Sequence, residues 1–277
     1  MTARLGKGVS RLSLWLLAAL TLVPLYFLIA TSLRPGRDYA GDPGGLPGAL
    51  TLSNFDRLLE LSDFMRWLGN SLLLTGVSTI VVLVAATMAA HALTYFELPG
   101  STVLTRAIAS LMIVPPILLV VPLFVELARL DLIDSYLGAI LIYSGLSLPF
   151  ATYMLARFFS TMPRSVLEAA RMDGAGPLRI LPTVVVPLAK PALATLAVVT
   201  AFFVWNDLLI ALVFLQSDEH RPLMAGLTTL ASRETESVPV LISGVMLSVL
   251  PIVALYLAMQ RFLVRGLYAG SSRGGGS

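Results

Sequence analysis

The sequence predicts an all-α, polytopic membrane protein with six transmembrane helices, on three observations. The 277-residue chain is 57% hydrophobic and only 13% charged, with a mean hydropathy of +0.86. Soluble domains carry roughly 25% charged residues, so this chain lacks the charge to cover a water-facing globule. Six apolar runs are each long enough to cross a bilayer, which takes about 20 residues of helix. They lie at 12–33, 67–95, 104–127, 136–160, 190–215 and 239–264. Finally, Lys and Arg fall unevenly between the segments that join them. Helices are the expected form because an open-ended segment in lipid must satisfy its own backbone.

Arg4, Lys7 and Arg11 precede the first run, as they would in a secretory signal. The run is longer than a signal's apolar region and no A-x-A site follows, so an uncleaved helix is expected. Pro35, Gly36, Pro43, Gly44, Gly45, Pro47 and Gly48 then predict a loop. Ser53 precedes a short surface helix over Asn54–Leu61. The second run is long and should tilt or protrude. Its Ala85, Ala86, Ala89 and Ala90 have the small-xxx-small spacing that lets helices approach closely in lipid. Pro115-Pro116 and Pro122 interrupt the third run, either to shape a path through the membrane or as a packing kink. The Gly/Ser-rich residues 271–277 read as a flexible tail. The whole, 1–277, reads as one integral membrane domain.

With the N-terminus inside, the inner segments carry 12 Lys/Arg and the outer ones 7. The positive-inside rule therefore places both termini and the 157–190 segment in the cytoplasm. The net charge of +3 and pI near 9.4 are explained by this bias, and no aromatic-basic patch points to nucleic acid. The chain has no Cys, which excludes disulfides, thiol catalysis and Cys-ligated metals. Its two His and scattered carboxylates offer no metal site. Glu126, Asp131 and Asp134 flank an outer loop and read as solvated. Arg outnumbers Lys 17 to 2, in keeping with a GC-rich bacterial genome.

The most informative stretch is Pro163–Leu188, PRSVLEAARMDGAGPLRILPTVVVPL. Ser165 and Glu168 form an S-x-x-E capping box, predicting a helix from Val166. Asp173-Gly174-Ala175-Gly176 should end it within about two turns, because Gly accepts the left-handed C-cap conformation. Pro177 suits the first turn of a second helix. The segment resembles the EAA loop of ABC-importer permeases: Glu168, Ala169, Ala170, Gly174 and Pro187 fall in register. Val184 and Val186 stand where Ile and Leu are usual.

The resemblance extends further. Ser53–Thr75, Pro115–Leu141, Leu146–Leu155, FVWNDLL at Phe203–Leu209 and QRFLVRGLYAG at Gln260–Gly270 are similar to blocks of the MalG-type permease subunits of carbohydrate-uptake, maltose-type ABC importers, in the same order. The resemblance implies a bacterial inner-membrane subunit that is not itself an enzyme. Its partners would be a second permease, two cytoplasmic ATPase subunits that carry ATP and Mg, and an external solute-binding protein. It also implies that the short helix bearing Glu168, Ala169, Ala170 and Arg171, ended at Asp173 and Gly174, enters a cleft on the ATPase and couples its closure to the permease. Arg261–Gly270 would also reach toward the ATPase. The chain itself has no GxxxxGK[ST] phosphate loop.

Asp207 is the one acid placed deep within a run, and such groups usually face an interior or a cavity. With Trp205 and Asn206 it offers a ring to stack on a sugar's C–H face and polar groups for hydroxyls. A hydrogen bond to a neighbouring helix is the other reading. His91, near the inner end of the second run, reads as structural. A stand-alone secondary transporter or channel is the alternative to an importer subunit, but it would favour several midplane ionisable groups or repeated broken helices. The solute is not named by the sequence.

Overall fold

The computed structural model describes residues 2–45, 48–96, 99–232 and 237–271, with side chains described between residues 11 and 260, residue 12 excepted. Among these residues there are helices and no strand: α1 (Thr2–Ser32), α2 (Gly36–Gly41), α3 (Ser53–Leu61), α4 (Phe64–Tyr95), α5 (Ser101–Leu111), α6 (Pro116–Arg129), α7 (Tyr136–Phe159), α8 (Arg164–Met172), α9 (Pro177–Ile180), α10 (Val186–Leu188), α11 (Lys190–Asn206), α12 (Leu209–Phe214), α13 (Leu223–Ala231) and α14 (Val238–Ser271). The predicted tail beyond residue 271 lies outside the described residues, and so do the side chains of the Arg261–Gly270 block.

Four segments are long and apolar enough to cross a membrane: Ser13–Ser32, Phe64–Tyr95, Tyr136–Phe159 and Val238–Gln260. Two bent pairs bring the total to six if each counts as one span. α5 and α6 meet at 93°, and Pro177–Leu188 meets α11 at 80°. The first bend lies at Pro115, which is extended (φ −63°, ψ 132°), while Pro122 stays inside α6. α5 already ends at Leu111, and Pro116 keeps the preceding Pro115 out of the helical region, which places the bend there.

Three sequence expectations need correction. The stretch after α1 was expected to be loop, yet Gly36–Gly41 is helical, entered from Pro35. The fifth run was expected to be continuous over 190–215, but α11 stops at Asn206 and α12 begins at Leu209. Asp134 does not stand free in solvent: its Oδ1 accepts the Ser217 N–H at 3.1 Å, and its Oδ2 lies 3.5 Å from His220 Nδ1.

The chain divides into two compact units. One comprises residues 1–65 and 226–250. There the last carbonyls of α1 have no partner within the helix, and buried Asn54 supplies one. Its Nδ2 donates to the Ser32 and Arg34 carbonyls, both at 2.8 Å. Leu58, one turn further along α3, is fully buried. The Arg34 guanidinium folds over the following turn and donates to the carbonyls of Gly45 and Asp38.

The other unit comprises residues 66–225 and 251–277. One of its cores joins Val82, Ala86 and Ala90 of α4 to Ala151, Leu155 and Phe159 of α7. Ile180, Val185 and Leu196 close it. Ala86 and Ala90 are fully buried, so one of the two expected small-residue pairs makes the close approach. In lipid this packing, rather than expulsion of water, holds helices together. At the other end of α4, Asn70 Nδ2 donates to the carbonyls of Glu219 and Arg221 at 2.8 and 2.9 Å. The Tyr136 hydroxyl donates to Asn70 Oδ1 at 2.8 Å. These bonds fix the 215–222 loop beside the start of α7. α7 itself is capped by Ser135, whose side chain accepts the Gly138 N–H. A Cβ on Gly138 would strike the Leu132 carbonyl, so only glycine allows that approach.

Candidate functional site

The EAA-like segment forms α8, a tight turn and α9, as the sequence predicts, but its start differs. α8 begins at Arg164 with Pro163 at the N-cap, and no side chain caps it. Ser165 and Glu168 therefore lie inside the helix rather than at its cap, and the expected capping box does not form. Proline fixes its own φ near −65°, and that constraint sets the entry. The C-terminus does follow expectation. Gly174 has φ +78°. Its N–H donates to Arg171 O at 2.9 Å, and the Ala175 N–H donates to Ala170 O at 3.0 Å. This pair of bonds is a Schellman motif, which satisfies carbonyls the helix would otherwise leave open. Pro177 then opens α9.

The faces of α8 are distinct. Leu167, Ala170 and Ala175 pack against the α4–α7 core. Ser165, Glu168, Ala169 and Asp173 are exposed, and Met172 is 88% exposed. Of the alanine pair, only Ala169 faces outward. Arg171 ties α8 to the end of α4: its Nε donates to the Tyr95 hydroxyl at 3.0 Å, and its guanidinium lies 4.3 Å from the Tyr95 ring centroid. Between α9 and α10, Leu181–Val185 widens into a π-turn. Pro182 and Pro187 each withhold a backbone donor there, and such turns often mark working segments.

The three residues at the break in the fifth run are adjacent but differently placed. Trp205 is buried and Asn206 is exposed, with Asn206 Nδ2 bonded back to Phe202 O at 2.8 Å. Asp207 is half-buried. Its Oδ2 accepts the Tyr143 hydroxyl at 3.0 Å and the N–H groups of Ile210 and Ala211 at 2.9 and 3.2 Å. It therefore caps α12 and binds α7 at once. Among the described residues no cluster of three or more His, Cys, Asp or Glu forms a metal site.

Residues 82–268 match the family described as the binding-protein-dependent transport system inner membrane component. The chain belongs to this family. It is a permease subunit of a binding-protein-dependent ABC importer, the non-catalytic membrane component of such a system. The permease is 29% identical to the melibiose/raffinose/stachyose import permease protein MelC of Bacillus subtilis, covering 91% of each chain. It is 32% identical to the trehalose transport system permease protein SugB of Mycobacterium tuberculosis, over 96% of this chain and all of that one. Its fold superposes with a TM-score of 0.80 on a chain from a bacterial ABC transporter that imports the acidic polysaccharide alginate. That match is 26% identical and covers 94% of this chain and 97% of the other.

Sequence reading did not find Tyr95, Tyr143 or the Asn70 anchor in the permease. Each is a polar residue in an apolar run, a visible signal, but which group it meets depends on how distant helices pack.

Proposed function

We propose that this permease forms, with a second permease subunit, the membrane path for a sugar or related polyol, and that α8 is the element through which cytoplasmic ATPase subunits drive it. An external solute-binding protein delivers the solute, and ATP and Mg are held by the ATPase pair. The observation that carries the coupling reading is the two-sided character of α8. Its inner face is fixed to α4 and to the core, while Glu168, Ala169 and Met172 stand exposed on a short, cleanly ended helix. A partner that grips the outer face thus moves the ends of α4 and α7 with it. Glu168 offers a carboxylate to a partner cation, and Arg171, Asp173 and Gly174 hold the shape that is gripped.

The sugar class rests on the names of MelC, SugB and similar relatives. We place Asn206 on the solute path, with Trp205 and Asp207 shaping the break that presents it. Both termini and α8 are assigned to the cytoplasm by the 12-to-7 excess of Lys/Arg.

The test uses the reconstituted importer with its partners. Ala169→Trp places a bulky ring on the exposed face of α8 and leaves the core untouched. Insertion and subunit assembly should stay normal while solute-stimulated ATP hydrolysis is lost. Wild-type stimulation with equal ATPase occupancy would refute the coupling role. Cysteine introduced at position 168 of this Cys-free chain should be shielded from an impermeant reagent added outside; external labelling there would reverse the orientation.

A further inference from the structure

A cavity of about 650 Å³ opens beside α8, between the ends of α4 and α7 and the start of α5. Its wall is strongly basic: Arg106, Arg157, Arg164 and Arg171 line it against one carboxylate, Glu168. Among the described residues Arg106 and Arg157 have no carboxylate partner. The start of α5 adds to this charge. Gly100 (φ 85°) precedes it without a side-chain cap bond, and Ser101 and Thr102 line the cavity. Uncapped first-turn amides and the positive end of the helix dipole favour an anion.

His91 stands in the wall beside the arginines and is only 6% exposed. Beside the cavity, α5 exposes an apolar surface, with Val103 68% and Leu104 52% exposed. A soluble anion has no use for that surface, but a lipid's chains do.

We infer that this cavity binds the phosphate of an anionic phospholipid whose acyl chains lie along α5. Basic pockets at the ends of membrane helices suit such headgroups. The headgroup would sit on the side of α8 that carries Arg164, Glu168 and Arg171, next to Ala169 and Met172, so a lipid of the cytoplasmic leaflet adjoins the proposed coupling element. Only the choice of leaflet rests on the orientation proposed above.

The assembled importer, purified in detergent, stripped of lipid and kept free of nucleotide and solute, is titrated with phosphatidylglycerol, phosphatidylcholine or inorganic phosphate. Native mass spectrometry reads the lipid retained. Phosphatidylglycerol should be held in preference to phosphatidylcholine. The double variant Arg106→Gln/Arg157→Gln should retain it about thirtyfold more weakly, and Arg106→Lys/Arg157→Lys should recover most of the loss. Equal retention by the Gln variant and the wild type would overturn the inference, as would equal retention of the two lipids. Displacement of phosphatidylglycerol by inorganic phosphate at equal concentration would reassign the cavity to a soluble anion. If the Gln variant fails to assemble, the competition between lipids on the wild type decides alone. Because no ATP hydrolysis is measured, failure here leaves the role of α8 standing, and failure of Ala169→Trp leaves this inference standing.

Discussion

The Tyr143 hydroxyl donates to Asp207 Oδ2 at 3.0 Å, and the same oxygen accepts the Ile210 and Ala211 N–H groups. One carboxyl oxygen, on the residue that follows α11, thus caps the start of α12 and fastens it to α7. Asp207→Ala leaves a buried hydroxyl and two amides without their acceptor, at about 1–3 kcal/mol for each group that water cannot reach. Tyr143→Phe removes only one bond, worth about 1 kcal/mol. The purified complex should therefore melt well below wild type with Asp207→Ala and only slightly below it with Tyr143→Phe. Equal melting of all three would mean that Asp207 does not hold the break.

Gly174 sits at φ +78° with open space where a Cβ would lie. Any penalty of substitution there is consequently conformational rather than steric. Asn tolerates the left-handed region and Val does not, the difference amounting to about 1 kcal/mol or more. Gly174→Asn should keep solute-stimulated ATP hydrolysis and Gly174→Val should lose much of it, both at normal abundance. Equal activity of the two variants would show that this turn need not keep its shape.

Arg171 and Tyr95 connect α8 to α4 through a hydrogen bond and a cation–π contact. Both residues are accessible to solvent, so their net contribution to stability should be small, about 0.5–1 kcal/mol for the ring contact. Their effect should appear in coupling instead. Tyr95→Ala should leave assembly intact and raise the ATP hydrolysed per solute transported. Tyr95→Phe, which keeps the ring, should lie between it and wild type. An unchanged ratio in Tyr95→Ala would remove this contact from the mechanism.

Asp134 lies outside the spans. Burial raises its pKa, but hydrogen bonds from Ser217 and His220, with the charge of His220, outweigh burial and leave it below the usual 3.8. A carboxylate with a lowered folded-state pKa stabilises the fold above its unfolded value, and that contribution disappears as pH falls through the folded one. Asp134→Asn should therefore melt below wild type at neutral pH. The gap should close as pH drops beneath 3.8. A gap that persists at lower pH would assign the effect to packing rather than charge.

Much of this permease was legible in the sequence because its cause is local. Apolar run length gave the spans, since a helix in lipid must satisfy its own backbone. Asp173-Gly174 marked the end of α8, because a left-handed residue there is a property of the chain itself. Where local rules competed, the sequence misled. Ser165 and Glu168 have the spacing of a capping box, but Pro163 fixed the helix start two residues earlier. Asp207 read equally well as a solute contact or a helix tie, and nothing nearby in sequence names Tyr143, 64 positions away.

The sequence by itself thus determined the class of the protein, its membrane segments and the short helix that carries the EAA pattern. Tertiary structure alone decided which face of α8 is free. Ala169 and Ala170 are identical in sequence terms, yet one faces outward and the other packs on the α4–α7 core. It also decided that four arginines from three helices line one cavity. Helical periodicity tells which residues share a face, but the partner of that face is fixed only when remote helices pack together.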